Sequence, residues 1–115
     1  MSKINIENMS FKAYHGVYPE ENKVGTIFIV DVVLDVDISQ AAKSDALEDT
    51  YDYAMVFEIC KKEMAIVSKL IEHVAGRIQK NIAQTFKLKK KQIQVTITKT
   101  NAPIKGFKGL VKVQL

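Results

Sequence analysis

The sequence is poor in the residues that metal centres and disulfide frameworks require. It has one cysteine, Cys60, which excludes an internal disulfide and any multi-thiolate metal site. Two histidines, His15 and His73, leave little for an imidazole-based site, so no metal is expected. All but one of the 17 cations are lysines; only Arg77 can make planar, two-pronged contacts to guanine or phosphate. No apolar run approaches the roughly 20 residues that span a bilayer. The opening, Met1 to Glu7, lacks an apolar core of signal-peptide length. The expectation is a soluble cytoplasmic protein that engages no membrane. What is present is ordinary globular stock: 115 residues, 47% hydrophobic and 26% charged, enough for one domain over residues 1–115.

The net charge of +4 hides an asymmetry. Residues 1–58 carry eleven acids and four lysines, whereas residues 59–115 carry thirteen cations and two glutamates. A basic half can mark a nucleic-acid surface, and a basic nucleic-acid-binding ring is the alternative reading from another functional class. The arginine shortage argues against it, and no nucleic-acid partner is expected. The Lys87–Lys91 cluster falls where a turn should join a helix to a strand, so it reads as a solvated turn.

Periodicity supplies the fold. Residues 26–38 alternate strictly, with Phe28, Val30, Val32, Leu34, Val36 and Ile38 on one face and Asp31, Asp35 and Asp37 on the other. An earlier strand covers roughly residues 2–14, slipping phase at Asn8-Met9, where a bulge is expected. Pro19 and Gly25 punctuate the loop between these two strands. From Tyr53 to Val67 the spacing becomes helical. After Ser68, read as an N-cap, a second helical stripe runs through Ile71, Val74, Ala75, Ile78 and Ile82. Strand period returns at residues 92–100 and 109–115. The order ββααββ predicts an α+β domain, a four-stranded antiparallel sheet with two helices on one face. Such a sheet has two uncovered edges, and pairing them with copies of the chain predicts a ring-shaped homo-oligomer.

Several polar residues invite a functional reading, each beside a plainer one. Lys99 is in phase with Ile93, Val95 and Ile97, so it either snorkels to water or serves proton transfer. Glu72 falls in the first turn of the second helix, where the dipole favours any carboxylate. Tyr53 opens the first helix and could be a buried tyrosine with a local hydrogen bond. Glu21 belongs to an acidic loop, and His15 precedes Gly16 as a turn histidine would.

Taken as blocks, these residues form a pattern. The segments Phe11 to Asn22, Gly25 to Val32, Ala41 to Asp45, Asp49 to Tyr53, Ser68 to Ala75 and Ile97 to Gly106 closely resemble dihydroneopterin aldolases of folate biosynthesis. The resemblance implies the tunnelling fold, in which four ββααββ subunits close a β-barrel ring and two rings commonly stack into an octamer. It also implies a lyase that splits 7,8-dihydroneopterin into 6-hydroxymethyl-7,8-dihydropterin and glycolaldehyde, with C2′ epimerisation in many members. A related epimerase acting on the triphosphate is a nearby alternative. By motif match, Lys99, Tyr53 and Glu21 are catalytic, with Tyr53 contributed by an adjacent subunit. Glu72 binds the pterin's N3–H and amino group, and backbone near Ile71, Tyr51 and Asp52 completes the pocket. Dihydroneopterin carries its own C6=N5 imine as electron sink, so the resemblance implies no metal, no lysine Schiff base and no cofactor.

Overall fold

Alternation over residues 26–36 builds the central strand of the sheet. In the computed structural model, which describes residues 2–115, β1 (Ser2–Ala13) pairs antiparallel with β2 (Thr26–Val36). On its other side β2 pairs with β3 (Ile93–Lys99), which pairs with β4 (Val111–Gln114). The antiparallel order is β1-β2-β3-β4, so β1 and β4 are the edges. Phe28, Val30, Val32, Leu34 and Val36 are all buried on one face. Each such side chain contributes about 1.5–3 kcal/mol by leaving water.

The expected bulge is present. The register shifts between Ile6 and Met9, and Asn8 takes a left-handed conformation at φ 60°. Asparagine tolerates that region better than most residues. The Asn8 amide, removed from the ladder, donates instead to Asp31 Oδ1 at 2.8 Å. The extra residue keeps Met9 and Phe11 on the same side as Ile4 and Ile6, opposite Val30 and Phe28.

Four helices accompany the sheet, two more than the periodicity predicts. The long pair, α3 (Tyr53–Met64) and α4 (Ile71–Phe86), covers the apolar face. Val56, Cys60 and Met64 of α3 and Val74, Ala75, Ile78 and Ile82 of α4 share one core with β2. Phe57 of α3 stacks on Phe11 of β1, with centroids 5.8 Å apart. The short helix α1 (Pro19–Val24) lies in the segment read as loop, and α2 (Ser39–Ser44) in a stretch where periodicity assigns no element. Neither buries a residue, so neither leaves an apolar stripe to detect. Among the described residues no helix is long and apolar enough to cross a membrane.

Several boundaries differ from expectation for local reasons. Strand β2 stops at Val36 because Asp37 Oδ1 accepts the Ser39 amide at 2.9 Å, turning the chain into α2. Helix α3 ends at Met64 rather than Val67, because Arg77 Nη2 takes the carbonyls of Glu63 and Ile66, both at 2.9 Å. Ser68 is not the N-cap of α4; that position is Leu70, without a side-chain cap. Strand β3 begins at Ile93 because Lys90–Gln92 wind a 3-10 turn, and β4 begins at Val111, two residues late.

Candidate active site

Glu21, Lys99, Ile71 and Glu72 line one cavity of about 290 Å³. This lies near the lower bound for small-molecule pockets. Its remaining wall is largely apolar: Val17, Leu70, Pro103, Ile104 and Val111 are among the lining residues, together with Lys69.

Glu21 owes its place to α1. Pro19 starts the helix, whose third residue is Glu21, and Glu21 Oε1 accepts the Tyr18 amide at 3.3 Å. Asn22 anchors the helix by donating to the carbonyls of Tyr14 at 2.8 Å and Gly16 at 3.1 Å. Gly16, at φ 150°, is required on two counts. Few side chains tolerate that conformation, and a Cβ there would lie 2.3 Å from the Glu21 carboxyl carbon. The glycine therefore lets the carboxylate rest against the backbone.

Lys99 ends β3 on the Phe28 face, as its phase predicts, with Phe28 and Val111 as neighbours in register. It does not snorkel freely into water. Its ammonium pairs with the Glu21 carboxylate, and the two side chains are only 14% and 12% exposed. Glu72, the second residue of α4, is exposed at the positive end of a 16-residue helix. Ile71 beside it is buried. The cavity thus brings together the exposed Glu72 carboxylate and the Lys99–Glu21 ion pair.

Tyr51, Asp52 and Tyr53 lie elsewhere. Tyr51 packs edge-on against Phe86 at 5.4 Å, and Asp52 caps α3 by accepting the Ala54 amide at 2.9 Å. Tyr53 is 69% exposed, which overturns its reading as a buried tyrosine. Phe86 and Glu72 sit at opposite ends of α4, about 20 Å apart at 1.5 Å per residue. These three residues therefore do not reach the cavity of their own chain.

Two residues near the cavity have larger parts than their sequence context suggested. His15 is not an exposed turn histidine; it is 1% exposed, with its ring edge toward Phe28 at 5.3 Å. Burial chiefly lowers its pKa from 6.5, helped by the positive charges of Arg77 and Lys99, while the Met64 backbone opposes the shift. Arg77 is the centre of a polar cluster. Its Nε pairs with Glu63 Oε1 at 3.0 Å, and its Nη1 donates to Ser68 Oγ at 2.5 Å. Being the sole arginine was the only sign of this in the sequence. Among the described residues no group of His, Cys, Asp and Glu gathers to hold a metal ion.

The family model described as FolB, dihydroneopterin aldolase, matches residues 4–115. The dihydroneopterin aldolase of Bacillus subtilis is 37% identical over 119 residues, covering 100% of this chain and 96% of the relative. A FolB crystal structure from Vibrio cholerae superposes with a TM-score of 0.88 at 26% identity, covering 100% of this chain and 95% of the other. The Escherichia coli dihydroneopterin aldolase, solved in complex with neopterin, shares the fold with a TM-score of 0.83 at 23% identity, covering 100% and 99%. The full-length family match and this level of identity over the whole chain place it in the dihydroneopterin aldolase family.

Proposed function

We propose that the cavity binds 7,8-dihydroneopterin and cleaves it to 6-hydroxymethyl-7,8-dihydropterin and glycolaldehyde. The observation that carries this reading is the placement of Glu72 and the Lys99–Glu21 pair on one cavity with apolar walls. A pterin is a flat ring with an N–H beside an amino group on one edge and its side chain on the opposite side. The Glu72 carboxylate can accept both donors in parallel, an arrangement with geometric specificity as well as energy. That anchorage turns the side chain toward Lys99 and Glu21. Neopterin, the ligand named for the Escherichia coli enzyme, presents the same edge.

The reaction then needs proton movements and an electron sink. Removal of the 2′-hydroxyl proton lets the C1′–C2′ bond break, and the departing C2′ fragment becomes the aldehyde carbon of glycolaldehyde. The released electron pair forms C1′=C6 as the C6=N5 bond opens onto N5, which takes a proton. Protonation at C1′ and loss of the N5 proton restore the imine. In this reading Lys99, held by Glu21, handles the protons at N5 and the side chain, forms no covalent bond to substrate and uses no metal. Re-attack of C1′ on the opposite face of the aldehyde would give the C2′ epimer.

The open edges of β1 and β4, with the distance of Tyr53 from its own cavity, favour a ring of four subunits, stacked as an octamer. Each pocket would then take Tyr53, Tyr51 and Asp52 from a neighbour. The direct test is incubation with 7,8-dihydroneopterin, separation of the pterins and borohydride quenching during turnover. The expected result is 6-hydroxymethyl-7,8-dihydropterin and glycolaldehyde with unmodified protein. Absence of product would refute the aldolase reading, and a reduced adduct on Lys99 would replace proton transfer with a Schiff base.

A further inference from the structure

Two segments far apart in sequence lead into the cavity wall that also holds Lys99. One runs from His15 through Gly16 to Glu21; the other runs from Ser68 to Glu72. They meet at Ser68. The Ser68 amide donates to His15 Nδ1 at 3.1 Å, and the Ser68 carbonyl accepts from the Gly16 amide at 3.0 Å. The Ser68 hydroxyl is taken by Arg77, whose guanidinium also holds the carbonyl of Ile66. Every polar group of Ser68 is thereby engaged, just before the residues that line the cavity.

We propose that His15 is a positioning residue for the pocket, its Nδ1 latching the Glu72-bearing segment to the Glu21-bearing segment. The proposal rests on the pterin reading for what the pocket holds, and on geometry alone for the latch. Because Nδ1 accepts, the ring proton is on Nε2, which is buried without a hydrogen bond of normal geometry, the Met64 backbone giving it only partial compensation. A buried polar atom without full hydrogen bonding is destabilising. An apolar side chain would avoid that cost and fill the space against Phe28. What the imidazole adds is an acceptor at the one place where the Ser68 amide needs it. The connection continues through Gly16, whose carbonyl is held by Asn22 and whose missing side chain admits the Glu21 carboxylate. A displacement at Ser68 is therefore transmitted to both Glu72 and the Lys99–Glu21 pair. Catalytic geometry is sensitive on this scale: misplacement by about 1 Å can cost on the order of a hundredfold in rate.

The test compares His15→Leu, which keeps bulk and removes the acceptor, with His15→Asn, whose side-chain oxygen can stand near Nδ1. Both lose the ring against Phe28, so a purely structural role would make them alike. Amide hydrogen exchange at Ser68 and Gly16, neopterin binding and kcat and KM on 7,8-dihydroneopterin are measured for each. His15→Leu should speed exchange at both amides and weaken neopterin binding, each by about tenfold or more, with a fall in kcat. His15→Asn should return exchange and binding to within about threefold of wild type, despite its own loss of packing. Unchanged exchange in His15→Leu overturns the latch, and faster exchange with unchanged neopterin affinity overturns the positioning role. His15→Asn behaving as poorly as His15→Leu overturns the acceptor argument. Should His15→Leu not fold, Arg77→Lys tests the same joint from its other side. It keeps a cation opposite Glu63 but loses the fork that spans Ser68 and Ile66, so the same two signals should move, and their constancy counts against the latch. If wild-type protein fails to bind neopterin, the pterin reading falls, while the exchange measurements still decide the latch.

Discussion

Glu72 and Glu21 are both carboxylates on one cavity, yet their surroundings give them different work. Glu21 is tucked over Gly16 with Lys99 against it, so its charge is already answered within the chain. Among the described residues no cation pairs with Glu72, which stands exposed at a helix start. An acid so placed is free to receive a ligand's donors. Replacing it with glutamine keeps one acceptor and loses the charge and the symmetric grip. A charge-assisted hydrogen bond contributes about 1.5–3 kcal/mol, so Glu72→Gln should weaken neopterin binding roughly tenfold or more by titration calorimetry. Unchanged affinity would reduce Glu72 to a residue that merely suits the helix dipole. Lys99 and Glu72 were legible in the sequence because phase and helix position fix where a side chain points. The pairing of Glu21 with Lys99 was not, since it joins residues 78 positions apart through an unforeseen helix.

The elements that periodicity revealed are those with an apolar face turned at least partly inward: β1 to β4, α3 and α4. Those it missed, α1 and α2, are held by caps and turns rather than by burial. Ser68 shows a related limit. Its type and place suited an N-cap, but a guanidinium from nearly two turns inside α4 captured the hydroxyl, and Leu70 took the cap position. The segment from the end of β1 to α1 carries a further consequence through His15. Its folded pKa lies below the unfolded value of 6.5, so the unfolded chain binds more protons as the pH falls past 6.5. This group costs no stability above pH 6.5, and below it stability declines until the folded pKa is reached. The slope cannot exceed about 1.4 kcal/mol per pH unit for one proton. Urea denaturation from pH 7.5 down to 5.5 should therefore show a steeper loss for wild type than for His15→Asn. Parallel curves would mean that His15 remains neutral or exposed to the same degree in both states.

At the scale of the whole molecule, the chain is elongated, 52 × 24 × 21 Å, with edge strands at both sides of its sheet. If neighbours close those edges, Tyr53 of one chain can meet Glu72 and Lys99 of the next. Mixing Tyr53→Phe and Lys99→Ala chains while unfolded, then refolding, tests this. Random assembly in a symmetric ring should return about a quarter of the pockets to the intact state. Mixed rings as inactive as either parent would confine the site to a single chain. Such experiments need a signal for chain opening that is independent of activity, and Cys60 supplies one. It is the sole thiol and fully buried, and burial pushes its pKa up to about 12. A thiol-directed reagent needs the thiolate, so folded chains should be inert to it and opened chains reactive. The core of α3 thus carries a built-in reporter: labelling at Cys60 would time the unfolding of each variant without any added probe, and would separate a pocket that is misaligned from a chain that is no longer folded.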